Sequence, residues 1–271
     1  VNGLYRYFYK CTNMVYSATD APDLTSLTAS YGTKMKEMFH NCESVVTLDL
    51  SGWTNTDNII DFYSTFSYMD SLQTLNLTGW DTSNITTCQN MSNLSGDSTT
   101  GCDFIMPDLD FSSCLGMWAI FQNTKVKSID ITGWTLRAAG VSLGGMFHGA
   151  HEGSNGTNFN IDATGWTNDS AITSLGNWAR DCRATVIDVT GWDTSACTAF
   201  GLCFYGNTNL THITGLNGFD GSAATSVTQM FTNCTSLNFG AGATTNFGSN
   251  WGPNLGSCTT FQSVLYQVGY T

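Results

Sequence analysis

Charge is what this sequence has least of: Asp, Glu, Lys and Arg make up 11% of its 271 residues, far below the quarter or so usual in soluble domains. Nine of these are cations and 21 are acids, a formal net charge of −12. Such a chain repels a phosphate backbone and an anionic lipid surface alike, so neither nucleic acid nor a membrane is expected as a partner. It has no apolar run approaching the roughly 18 residues of a transmembrane helix, so no membrane insertion is expected. With four histidines in total there is little from which to build a Ser-His-Asp triad. Paired Cys-x-x-Cys sets are missing, which argues against zinc, and EF-hand or nonapeptide calcium spacings are missing too. No charged-then-apolar leader opens the chain. Instead "YFYKC" (Tyr7 to Cys11) already reads as the middle of a unit, as expected of a processed chain or a fragment of a longer one.

What the sequence does have is one phrase written five times: "LDLSGW" (Leu48 to Trp53), "LNLTGW" (Leu75 to Trp80), "IDITGW" (Ile129 to Trp134), "IDATGW" (Ile161 to Trp166) and "IDVTGW" (Ile187 to Trp192). A second phrase alternates with it, as in "MFHNC" (Met38 to Cys42), "MFHGA" (Met146 to Ala150) and "MFTNC" (Met230 to Cys234). The Phe39 to Phe66 and Phe204 to Phe231 steps are 27 residues and the Phe121 to Phe147 step is 26. Anchoring on the Trp of the first phrase gives Trp53, Trp80, Cys114, Trp134, Trp166, Trp192, Leu216 and Trp251, with steps of 27, 34, 20, 32, 26, 24 and 35. Two markers at one mean period define a repeat architecture.

A unit of this length holds one short strand, a Ser/Thr-Gly-Trp turn, a polar stretch such as "DTSNIT" (Asp81 to Thr86) and a turn or short helix carrying Met-Phe. It cannot bury its apolar side alone, so the units must stack. The expected fold is therefore a single repeat solenoid over residues 1–271, of about eight or nine degenerate units of about 26 residues, each with one short parallel β-strand plus a turn or short helix. Period-2 alternation turns Leu48 and Leu50 inward and Asp49 outward. The glycine before each Trp is expected to supply a backbone conformation that a Cβ would penalise. Gly/Ser/Thr/Asn-rich insertions are expected near 94–104, 150–159 and 241–250, and loops on a rigid stack are where recognition usually resides.

The composite "MFHNCESVVTLDLSGW", completed by "GWDTSNIT", closely resembles the bacterial surface-protein repeat of the BspA-like leucine-rich-repeat group. The resemblance implies a leucine-rich-repeat-like solenoid of the kind found on surface proteins, extracellular lipoproteins and some phage appendages such as tail fibres. For function it implies adhesion or receptor recognition, with no catalytic residue to carry over.

The second position of the strand phrase reads Asp49, Asn76, Asp110, Asp130, Asp162, Asp188 and His212, with Asn246 by a looser alignment. Stacked in register these would form an exposed column in which neighbouring carboxylates repel by roughly 0.8 kcal/mol per pair in water. Three readings account for it: turn chemistry, in which the side chain accepts hydrogen bonds from nearby backbone or Thr; a face that binds hydroxyl-rich or cationic ligands; and, as a weak third, Ca²⁺. No other cofactor and no other metal is expected. His148, His151 and Glu152 in "HGAHE" miss the zinc-peptidase spacing and fall in an insertion, where with Trp251 they are candidates for loop recognition. Trp118 and Trp178 read as core. The ten cysteines read mainly as buried thiols, with disulfides open between Cys11 and Cys42 or Cys102 and Cys114.

The function these features point to is a non-enzymatic, extracellular recognition or adhesion module on a cell or virion surface, binding a glycan or a protein receptor. The alternative is a structural spacer or shaft subunit contacting homo-oligomer or fibre neighbours. A polysaccharide-active enzyme comes third, since a periodic column supplies like carboxylates where hydrolysis needs unlike ones.

Overall fold

The structure is a computed structural model that describes residues 4–12, 33–138, 140–152, 159–167 and 172–237. These residues wind into a parallel β-solenoid of about seven turns, with a repeat of about 26 residues and almost no helix. The strand phrases make one wall. There β2 (Thr47–Asp49), β4 (Thr74–Asn76), β5 (Cys102–Ile105), β6 (Lys125–Asp130) and β8 (His151–Glu152) pair in that order, as do β9 (Asn160–Asp162), β11 (Val186–Asp188) and β12 (His212–Thr214). Every pairing is parallel. A second ladder joins β1 (Thr33–Lys34) to β3 (Ile59–Asp61) and β7 (Val141–Ser142) to β10 (Ile172–Ser174), continued by single bridges such as Thr87 to Gly116 and Ala199 to Ser226.

The Met-Phe segment resolves into turns. Between Met35 and Cys42, alternate N–H groups close local turns (Met38 to Met35 O, His40 to Glu37 O, Cys42 to Phe39 O), while those between them reach the next coil (Glu37 to Tyr63 O, Phe39 to Thr65 O, Asn41 to Ser67 O). The same alternation recurs from Leu4 to Cys11 and on to the later units. A helix about 10 Å across cannot repeat at a coil spacing of about 4.8 Å, so backbone pairing between coils displaces it. The third residue of each turn takes positive φ, and 15 of the 17 non-glycine residues with positive φ lie here, including Glu37, Leu202 and Gln229. Six of the fifteen are Asn or Asp, which tolerate that conformation, and at the other nine stacking overrides a residue preference worth about 1 kcal/mol or more.

The strand corner is held by tryptophan. The indole N–H of Trp80, Trp134, Trp166 and Trp192 donates to the carbonyl of Leu50, Met106, Ile131 and Ala163 respectively, in the preceding coil, at 2.6–2.9 Å. Neighbouring rings lie 5.1–5.5 Å apart for the Trp53–Trp80, Trp134–Trp166 and Trp166–Trp192 pairs. Burying so large a ring requires a partner for its polar edge, and the neighbouring coil supplies one. Phenylalanines of the second phrase stack in parallel, as in Phe8–Phe39–Phe66 and Phe121–Phe147. Where that column has Ala179, Trp178 stands edge-on between Phe147 and Phe204.

Two corners sit elsewhere than expected. In the third unit Leu75 pairs with Phe104 and Asn76 with Ile105, so "FIMPDL" is the strand phrase and buried Leu109 stands in for Trp, in place of Cys114. Asp108 takes the glycine position, with φ of 55°. In the last described unit Ile187 pairs with Ile213 and Asp188 with Thr214. Phe219, stacked on Trp192 at 6.3 Å, is the Trp equivalent there, in place of Leu216. With these anchors the irregular steps of 34 and 20 become 29 and 25, and the step after Trp192 becomes 27.

Gly79, Gly133, Gly165 and Gly191 adopt φ of 70–91°, as the turn requires, whereas Gly52 is not among the positive-φ glycines. Gly215 is crowded by the backbone of the preceding coil. A Cβ there would lie 2.4 Å from Thr190 N and 2.6 Å from Val189 C, while at Gly191 nothing lies within 4 Å. Gly191→Ala should cost about 1 kcal/mol from backbone strain alone. Gly215→Ala should cost about 2–4 kcal/mol, because overpacking against backbone adds to that strain. Urea unfolding of the two variants checks the difference.

Candidate functional site

The outward column of the strand wall is a series of local turns. Asp49 Oδ1 accepts from Ser51 N and Oγ at 3.1 and 2.7 Å, Asn76 Oδ1 from Thr78 N and Oγ1, and Asp130 and Asp162 in the same way from Thr132 and Thr164. Asp188 accepts from Thr190 N at 2.9 Å. A carboxylate and an amide serve equally as acceptors here, which is why Asn76 fits among the acids. The repulsion expected of such a column is largely avoided. Asn76 and Ile105 separate Asp49 from Asp130, and the register partner of Asp188 on its other side is Thr214, leaving Asp162 and Asp188 as directly paired carboxylates.

Asp110 and His212 do not belong to this column, because the two displaced corners shift their registers. Asp110 lies one position past the Trp equivalent, bridged to Thr135 and through it to Thr167. It accepts from Ser112 N, as Asp81, Asp193 and Asp220 accept from Ser83, Ser195 and Ser222. This second column is tied by buried hydroxyls: Thr82 Oγ1 both accepts from Asp110 N and donates to Asp110 O at 2.8 Å, and Thr194 does the same for Asp220. His212 pairs with Val186, and its ring lies 3.2 Å from Thr211 Oγ1.

The insertion candidates also move. His148 occupies the turn ladder one residue after Phe147, its Nδ1 3.3 Å from Gln122 Nε2, and burial together with the nearby Arg180 charge holds it below the usual histidine value. His151 and Glu152 form β8, in register with Lys125 and Val126, and the His151 ring meets Lys125 Nζ. Near 94–104 the projecting loop shrinks to 98–101, because Leu94 bonds to the next coil, Gly96 and Asp97 bond to Met69 O and Leu72 O of the preceding one, and Cys102–Ile105 is a strand. Asp97 clasps that loop by accepting from Thr99 N and Thr100 N. Trp251, Asn246, Cys258, residues 153–158 and the 241–250 insertion lie outside the described residues.

Missed by the sequence reading is the turn face over the first coils. Tyr9, His40 and Tyr68 form a ring ladder at 5.3 and 4.9 Å. Arg6 lies over Tyr5 and Tyr9, Lys10 over Tyr9, and Lys36 over Tyr63 at 4.5 Å. Tyr5, Tyr68 and, further along, Trp118 are 38–45% exposed. Trp118 thus faces solvent instead of the core, while Trp178 is buried. On the later coils the position of Tyr5, Lys36 and Tyr63 is held by Gly144, Gly176 and Gly201, and the face becomes flat. A signal was present: Arg6, Lys10, Lys34 and Lys36, four of the nine cations, fall within the first 36 residues.

No disulfide joins the described cysteines. Cys102 and Cys114 do not meet; the sulfur nearest Cys114 is that of Cys88, at 3.5 Å. Burial pushes Cys42 and Cys197 up to about 11 and Cys234 up to about 12, so these thiols stay protonated. Among the described residues no group of three His, Cys, Asp or Glu side chains could hold a metal ion, and no helix is long and apolar enough to cross a membrane.

With this geometry in view, comparison with protein families finds a match to DUF285, described as a Mycoplasma protein of unknown function, over residues 3–134, 33–160 and 141–251. The chain belongs to the DUF285 family. Three overlapping matches along one chain are what a repeat family produces on a solenoid. No curated protein and no solved structure matches this DUF285 member.

Asp188→Asn should leave stability within about 0.5 kcal/mol, whereas Asp188→Ala should lower it by about 1 kcal/mol, the usual worth of such an acceptor; chemical denaturation distinguishes them. Backbone N–H donors hold Asp97 and Asp220 below the usual aspartate value. Because the folded carboxylates bind protons less readily than unfolded ones, their stabilisation is present above about pH 4 and is lost on further acidification. A thermal midpoint that declines gently below about pH 6.5, where unfolded histidine takes up protons more readily than His148, and then steeply below about pH 4 checks this, and Asp220→Asn should soften the steeper fall.

Proposed function

We propose that this chain is a non-catalytic extracellular recognition module, carried on a cell surface or virion appendage and binding a surface glycan or protein receptor. The exposed turn-face aromatics carry the reading. The large apolar side chains left open on the described coils are Tyr5, Tyr7, Val46, Tyr68, Leu94, Leu115 and Trp118, and four of these seven are aromatic rings that offer rigid contact area. Open aromatic area with a polar rim is the usual mark of a binding surface. Tyrosine and tryptophan also supply rigid contact at low entropic cost.

Two further features support it. The outward surface is solvated by Thr, Ser and Asn instead of charge, and the resemblance to BspA-like surface repeats points to the same role. A solenoid holds its side chains at a fixed pitch, which suits a repetitive ligand. The acidic column is occupied by turn hydrogen bonds, so it ranks below the turn face as the place of contact.

Intact bacterial and eukaryotic cells and a glycan array, probed with the purified chain, provide the test. Saturable binding that drops roughly tenfold in a Tyr68→Ala/Trp118→Ala double variant is expected, with the variant's unfolding transition unchanged. Binding to nothing on either panel would sink the reading. Reducing-end release from a polysaccharide would replace it with the enzyme.

A further inference from the structure

We propose that the tyrosine and cation strip across the first three described coils is a binding site for an acidic polysaccharide, one whose pyranose rings carry carboxylates. This rests on the recognition reading above and names its ligand class. Charge is distributed unevenly enough to make the strip distinctive. The first 43 residues carry four cations and four acids, while residues 44–271 carry five cations and 17 acids. The strip sets Arg6, Lys10 and Lys36 over tyrosine rings on a chain that is otherwise strongly acidic.

Its construction alternates flat rings and positive charge. Tyr9, His40 and Tyr68 continue one another across three coils, and the cations lie over the tyrosine rings at 4.5–5.5 Å. Arg6 is already committed to Glu37 at 2.5 Å. Lys10 and Lys36 make no ion pair among the described residues, so their charge is available to a ligand. Three coils span about 10 Å at the strand-to-strand spacing. A short run of sugar rings can therefore follow the ladder, C–H faces on the exposed rings and carboxylates on the ammonium groups.

Rings with cations also suit a single-stranded nucleic acid. The net charge of −12 decides between the two. A phosphate on every nucleotide must run past the acidic remainder of the chain, and that remainder repels it. A glycan with sparser carboxylates, and hydroxyls elsewhere, meets the strip with its charges and the Thr- and Ser-rich surface with its hydroxyls.

Titration calorimetry of the whole chain with an oligosaccharide in which uronate and neutral sugars alternate, and with the same oligosaccharide after reduction of its carboxyls to alcohols, tests this. The acidic form should bind and weaken as salt is raised. The reduced form should bind at least about tenfold more weakly, and Lys10→Gln/Lys36→Gln or Tyr68→Ala should each lower affinity for the acidic form by roughly tenfold. Lys127→Gln, which breaks a surface ion pair on the strand wall, should leave it unchanged. Equal binding of both oligosaccharides, indifference to the strip variants, or tighter binding of a single-stranded oligonucleotide would overturn the proposal. If the chain still bound cells after the strip lysines were removed, the ligand assignment would fail while the recognition reading stood; binding to neither cells nor glycans would remove both.

Discussion

Coil-to-coil backbone hydrogen bonding is the constraint on which the rest of this structure depends. Each coil must lie about 4.8 Å from the next over its strands and its turns alike. That spacing excludes a helix from the Met-Phe segment, and it forces residues as unsuited as Glu37 and Leu202 into positive φ. It also brings every side chain close to its equivalents above and below, so aromatic rings stack and each indole N–H finds the carbonyl of the coil before. Single residues matter little to such a stack, whereas their repetition matters a great deal.

The same constraint governs the surface. A side chain repeated at this pitch meets its own kind, and carboxylates tolerate that poorly. The strand wall answers by turning each acid into the acceptor of its own local turn and by placing Asn76, Ile105 and Thr214 among the acids. On the turn face no such neutralising device is needed, since rings and cations are mutually attractive when stacked. The aromatic strip is therefore a surface the fold can hold in place without covering it.

Much of this was legible from spacing. The five Gly-Trp phrases located the strands, the inward and outward alternation of Leu48, Asp49 and Leu50, and the obligation to stack. Where the phrase decays, legibility ended. "FIMPDLDFSSC" contains an acid flanked by apolar residues at Asp110, which matches the pattern better than the true strand around Ile105 does. At His212 the shortened "HITG" invites alignment on its glycine, although the chain pairs on Ile213. In both places an alignment of letters weighed glycine and aspartate, whereas the coil weighs which apolar residue fills the rung.

A repeat period, an apolar rung in each unit and an acidic chain with few cations are properties of order and composition along one dimension, and the letters alone fix them. The register of the degenerate units, the turn in place of a helix and the meeting of Tyr9, His40 and Tyr68 arise in the folded stack. Those outcomes depend on which residues of successive coils lie side by side. That is set by backbone pairing between segments about 26 residues apart, and local preference yields to it.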